Sequence, residues 1–116
     1  MEHVKKLIEY LSKFGQVKYK PGHFSGDIVD FHTIELMAKE KLAEGLEREI
    51  NSHLTLECGH RACVRLLQIK EHENSKLDYV MEIVPYSYVP KHQWQDASDE
   101  VLKDLPRIIK TYLMKN

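Results

Sequence analysis

Cys58, His60 and Cys63 are the residues of this chain whose types and spacing could do chemistry together. Both cysteines of the protein fall within Cys58-Gly59-His60-Arg61-Ala62-Cys63. Thiolate and imidazole are the donors zinc prefers in tetrahedral sites, and a closed structural site needs four ligands. This stretch offers three. A fourth would have to come from His53, His72, His23 or elsewhere. The same spacing suits a local disulfide, or a β-hairpin. In the hairpin reading Gly59 and His60 form a type II′ loop, with Gly59 at the position that needs positive φ. Cys58 then faces Arg61, and Cys63 lies across from Leu56 as a small core hydrophobe.

The string Leu56-Glu57-Cys58-Gly59-His60-Arg61-Ala62-Cys63 resembles the middle of a RING finger, where a Cys-Gly-His-x-x-Cys segment supplies ligands to two zinc ions. The resemblance covers this string alone. The chain has no further cysteine to complete that family's ligand set.

Three other groups of residues could act together. His23, Asp27, Asp30 and His32 surround a glycine-flanked loop, and imidazole with carboxylate can hold a divalent ion or do acid–base work. The plainer reading makes Asp27 a turn residue and Asp30 a helix cap. Glu57 followed by Gln68-Ile69-Lys70 is similar to the acidic-then-Gln-x-Lys order of restriction-endonuclease-like nucleases. Those folds place a helix after the lysine strand, whereas here a polar turn leads into another strand. Tyr86, Tyr88, Lys91, His92 and Trp94 mix aromatic and cationic side chains in one connector. Such a segment can anchor a protein partner or stack the bases of a single strand. Its plainer reading folds Trp94 back as a lid over the core. There is no glycine-rich phosphate loop, no Gly-x-Ser-x-Gly elbow and no His-Glu-x-x-His.

The rest of the chain must position these groups. At 116 residues it is one domain, residues 1–116, large enough to bury a core without disulfides or metal. Seventeen basic and eighteen acidic residues leave a net charge of −1, so no whole-molecule basic field favours nucleic acid or an anionic membrane. Two cysteines are too few for a secreted disulfide scaffold. No apolar run approaches the ~20 residues of a membrane span. These features point to a soluble, cytoplasmic protein with reduced thiols.

Val4, Leu7, Ile8, Leu11 and Phe14 predict a helix over 2–14, with Gly15 as its stop. Gln16 to Lys20 alternates and predicts a short edge strand, followed by a loop over 21–27. Phe31, Ile34, Ala38, Leu42, Leu46 and Ile50 recur at three and four, predicting a long helix over 30–50 capped by Asp30. Gly45 inside it implies close approach of another element. The period then changes to two. Residues 53–57, 62–70 and 77–86 read as strands of an antiparallel meander. The last helix is predicted from Ser98, as cap, with Pro106 either kinking or restarting it.

The expected fold is thus α+β: a single domain of order α-(β)-α-β-β-β-α, with an antiparallel sheet of three to four strands packed against helices. The sheet is small, the apolar helical stripes are long, and no catalytic signature stands out. The expected function is therefore a small binding or assembly protein acting as a homo-oligomer, a dimer in the simplest case. A viral or mobile-element accessory protein would fit that description. A zinc-binding protein using Cys58, His60 and Cys63 is one alternative, and a metal-dependent hydrolase or nuclease is another. The leading reading needs no cofactor; the second needs zinc.

Overall fold

The computed structural model describes residues 2–71, 73 and 76–113. The class is the expected one: three helices pack on a four-stranded antiparallel sheet, beside a two-stranded one. Helix α1 spans Glu2–Leu11 and strand β1 Gly15–Lys20. A small hairpin follows, β2 His23–Ser25 and β3 Ile28–Asp30, turning at Gly26 with φ of 58°. Then come β4 His32–Ala38, α2 Leu46–Asn51 and a π-helical turn Ser52–Glu57. Strands β5 Ala62–Glu71 and β6 Leu77–Pro85 form the second hairpin. A 3₁₀ turn Lys91–Gln93 leads into α3, Trp94–Leu113. The main sheet runs β1-β4-β6-β5.

The segment 30–57 departs from the sequence reading. The predicted long helix is instead β3, β4, an irregular stretch and the short α2. His32, Ile34, Leu36 and Ala38 alternate with Thr33, Glu35 and Met37, and the first set is buried. The stretch therefore satisfies both periods at once, and pairing with β1 on one side and β6 on the other selects the strand. Asp30 ends β3 and is exposed, so it caps no helix. Gly45 does not mark close approach. It sits at the start of α2 with φ of 81°, and nothing lies near where its Cβ would be. Residues 53–57 are helical, continuing α2, rather than a strand. The predicted hairpin at 58–61 is a helix-to-strand turn. Gly59 does adopt positive φ, 69°, but just past a helix C-terminus, where glycine has no Cβ to clash.

Smaller differences have local causes. Helix α1 ends at Leu11, and Gly15 opens β1 rather than stopping the helix. It must be glycine because a Cβ there would run into the Met37 carbonyl oxygen across the β1–β4 pair. Helix α3 starts four residues before Ser98 and runs through Pro106. Ser98 is fully buried inside it, and its hydroxyl has no hydrogen-bond partner among the described residues, so it is not a cap. The predicted turn over 71–75 includes His72, Asn74 and Ser75, which lie outside the described residues.

All three helices cover one face of the sheet. Val4, Leu7 and Leu11 of α1 meet Leu105, Ile108 and Ile109 of α3 over Ile34, Val64, Met81 and Ile83. Each such side chain stabilises by about 1.5–3 kcal/mol when taken fully from water. A second cluster, Leu36, Ala38, Leu77 and Tyr79, lies under Phe14 and Leu42. The Tyr79 hydroxyl accepts from the Leu42 amide at 3.0 Å and so ties the irregular stretch down. Strand alternation puts Lys18, Glu35, Met37, Val80 and Leu67 on the opposite face, where no helix of the described residues packs.

Helix α2 guards the β5 edge. Asn51 Oδ1 accepts from the Val64 amide at 2.7 Å, and Asn51 Nδ2 donates to the Val64 carbonyl at 2.7 Å. Glu47 Oε2 accepts from the Leu66 amide at 2.8 Å. One side-chain amide thus replaces the strand that would otherwise pair there.

Candidate functional site

The turn at 58–60 brings Cys58 and His60 to α3. The His60 amide donates to the Leu54 carbonyl at 2.9 Å, and the Cys58 amide to the His53 carbonyl at 3.2 Å. These bonds and the left-handed Gly59 hold the turn against the helix end. Asp104 comes from the facing side of α3. Ligand atoms of Cys58, His60 and Asp104 all lie within 4.8 Å of one another. No other such group of three occurs among the described residues.

Cys63 is not part of this group. Ala62 and Val64 face the helices, so alternation sends Cys63 to the uncovered face, beside its cross-strand neighbour Val84. Burial pushes its thiol pKa up, and the Glu47 carboxylate adds to that. Of the three sequence-predicted ligands, the fold joins Cys58 with His60 and puts Asp104 in the third place. Both thiols are free, Cys58 exposed and Cys63 half-buried.

Arg107 completes the arrangement. Its Nε donates to Asp104 Oδ1 at 2.8 Å and its Nη2 to Asp104 Oδ2 at 2.9 Å, a two-pronged pairing. Nη2 also reaches Cys58 Sγ at 3.4 Å, and Nη1 lies 3.0 Å from His53 Nε2. The other ring nitrogen of His53 contacts Glu57. His60 Nε2 lies 2.9 Å from Asp104 Oδ2. The guanidinium hydrogen bond, followed by that from His60, holds the Asp104 carboxyl at about 2, against an ordinary 3.8, despite the opposing effect of burial. A carboxylate depressed in the folded state adds stability above its unfolded pKa and loses it as pH falls through the folded one. Stability should therefore decline between about pH 4 and pH 2, by about 1 kcal/mol from this group after allowing for solvent screening. Urea titrations across that range check this: Asp104→Asn should flatten the acid limb, and an identical limb in both proteins would contradict it.

A second polar centre lies nearer the N-terminus of α3, at Gln95 and Asp99. His32 is 4% exposed. Its Nδ1 accepts from the Gly22 amide at 2.8 Å and lies 3.0 Å from the Tyr19 hydroxyl. A backbone amide can only donate, so Nδ1 carries no proton, and Nε2–H donates to Asp99 Oδ1 at 2.7 Å. Gln95 Nε2 donates to the same oxygen at 3.0 Å, while Gln95 Oε1 accepts from the Phe24 amide at 3.1 Å. Burial, and then the Asp99 charge, raise the Tyr19 pKa. This centre ties β1, β2 and β4 to α3.

The other sequence-predicted groups separate. His23 and Asp30 face each other across the small hairpin, Asp27 is in its turn, and His32 points to the core instead. Glu57 ends the π-helical turn before β5 begins, whereas Gln68 and Lys70 lie near the other end of β5. Trp94 folds back, its indole N–H donating to the Val89 carbonyl at 2.8 Å and its ring edge-on to Phe24. Tyr86 and Tyr88 stack on each other, and Tyr88, Lys91 and His92 stay exposed. Asp104 and Arg107, one turn apart on α3, escape a sequence reading because no local pattern links them to Cys58. The chain matches no family model, no curated protein and no solved structure.

Proposed function

We propose that the chain is a small binding and assembly protein that pairs with a second copy of itself through the uncovered sheet face. The observation carrying this reading is the composition of that face. Met37, Cys63, Val80 and Val84 are half-buried there, and Leu67 and Ile69 are 39% and 59% exposed. A shallow groove of about 680 Å³ lies over it, lined in part by Lys18, Glu35, Met37, Ile69, Asp78 and Val80. An apolar sheet surface of this kind is what a partner covers. The charges say which partner. Lys18, Lys20 and Arg65 balance Glu35, Asp78 and Glu82, and Lys20–Glu35 and Arg65–Glu82 already pair at 2.9 and 2.8 Å. A face of mixed sign suits neither a polyanion nor an anionic membrane, and it does not repel its own copy.

Light scattering at micromolar concentration tests the reading. The wild type should be a dimer. Val80→Glu and Leu67→Glu should each give monomers with unchanged far-ultraviolet circular dichroism. A monomeric wild type, or a dimer indifferent to both changes, would remove this function.

A further inference from the structure

The group at the end of the π-helical turn stands apart from the sheet face and has its own chemistry. We propose that Cys58, His60 and Asp104 bind one divalent ion of the zinc class, and that Arg107 is the resident cation which that ion displaces. Sulfur, imidazole nitrogen and carboxylate oxygen are the three donor types that zinc accepts. Zinc bonds of about 2.0–2.3 Å in a tetrahedron put donors about 3.3–3.8 Å apart. In the observed group, within 4.8 Å, the longest separation must close by up to about 1–1.5 Å while the 2.9 Å His60–Asp104 pair opens slightly. Three protein ligands leave the fourth position to water on the exposed side of Cys58.

Arg107 marks where the charge goes. One nitrogen, Nη2, touches both the Cys58 sulfur at 3.4 Å and an Asp104 oxygen at 2.9 Å. A positive charge thus already sits between two of the three donors. The Arg107 side chain is 53% exposed, so it can swing into water with its charge intact. On binding, the Cys58 thiol gives its proton to solvent, and the sulfur lone pair goes to the metal. His60 enters neutral and Asp104 as the carboxylate, so one proton is released per ion. His60 must exchange its Asp104 contact for the metal or bind through its other nitrogen. The competition makes this a weak, readily exchanged site rather than a structural one.

The test titrates untagged protein with Zn²⁺ against a chromophoric chelator. A parallel titration with Co²⁺ is read by its sulfur-to-cobalt charge-transfer band. The wild type should bind one equivalent. Cys58→Ser should lose the band, and Cys63→Ser should keep it. His60→Gln and Asp104→Asn should weaken binding by about tenfold or more, and Arg107→Gln should tighten it by about tenfold. Cys58 is exposed, so its serine variant folds and keeps the test sound even where Asp104→Asn does not. Absence of binding in both the wild type and Arg107→Gln would overturn the site. So would a charge-transfer band that survives Cys58→Ser. Weaker binding by Arg107→Gln would overturn the displacement. None of these outcomes depends on the oligomeric state.

Discussion

Replacing His32 by phenylalanine should lower the unfolding free energy by about 3 kcal/mol, equivalent to a fall in Tm of about 10 °C. The ring volume and its stacking on Tyr19, at 6.0 Å between centroids, survive the change. The hydrogen bonds do not. The Gly22 amide and the Tyr19 hydroxyl lose their acceptor, and Asp99 loses its donor. The Gly22 amide is half-buried, so losing its partner costs toward the low end of about 1–3 kcal/mol, and the lost Tyr19 and Asp99 bonds add to it. A Cβ at Gly22 would lie 2.4 Å from the His32 amide nitrogen, so the chain at Gly22 is held tightly against the β3–β4 junction. His32→Asn is the control, since its Oδ1 can stand near the place of Nδ1 and accept from Gly22. Chemical denaturation of both should find the asparagine variant the less damaged. Equal losses would mean that ring packing, not the Gly22 bond, carries the effect.

Asn51→Ala should cost about 2–3 kcal/mol, large for a half-buried polar residue. The two bonds to Val64 are short and face the outer edge of β5, where no strand of the described residues pairs. The Val64 amide should also exchange hydrogen far faster, because Asn51 is the acceptor it uses. Asn51→Asp should fare no better. It keeps the acceptor but points a carboxylate oxygen at the Val64 carbonyl in place of the amide donor. Hydrogen exchange resolved at Val64 is the deciding measurement, and an unchanged rate there would refute this account of the edge. The exposed edge should further promote aggregation, since an unpaired strand is a template for another.

The two proposed activities use different surfaces. The sheet face is built by alternation on β1, β4, β5 and β6. The donor group sits where the π-helical turn meets α3. Arg107 connects that group to stability, because the same guanidinium that lowers the Asp104 pKa would have to leave for a metal to bind. Any ion bound there therefore exchanges one cation for another.

Much of the fold follows from local pattern. The first helix, the strand after it, the β5–β6 hairpin and the last helix each have one dominant period. Their buried faces are the ones that period picks out: Val4, Leu7 and Leu11; Leu77, Tyr79, Met81 and Ile83; Val101, Leu105 and Ile108. The middle of the chain departs from its local pattern for a physical reason. Residues 32–38 carry apolar side chains at both helical and strand spacing, so local pattern is silent, and the pairing of β4 between β1 and β6 decides. Residues 53–57 differ in the opposite sense, because a five-residue alternation is also compatible with helix when α2 leads directly into it.

Local pattern and composition carry the α+β class, the near-neutral charge that disfavours polyanion partners, and the closeness of Cys58 and His60, two residues apart around a glycine. Long-range packing selects the third member of the group. Strand alternation turns Cys63 away to the open face, and the packing of α3 on the helix end brings Asp104 in from 44 positions along the chain. Local spacing can put two donors side by side. Which third group meets them depends on long-range packing, and that is set by the core between α1, α3 and the sheet.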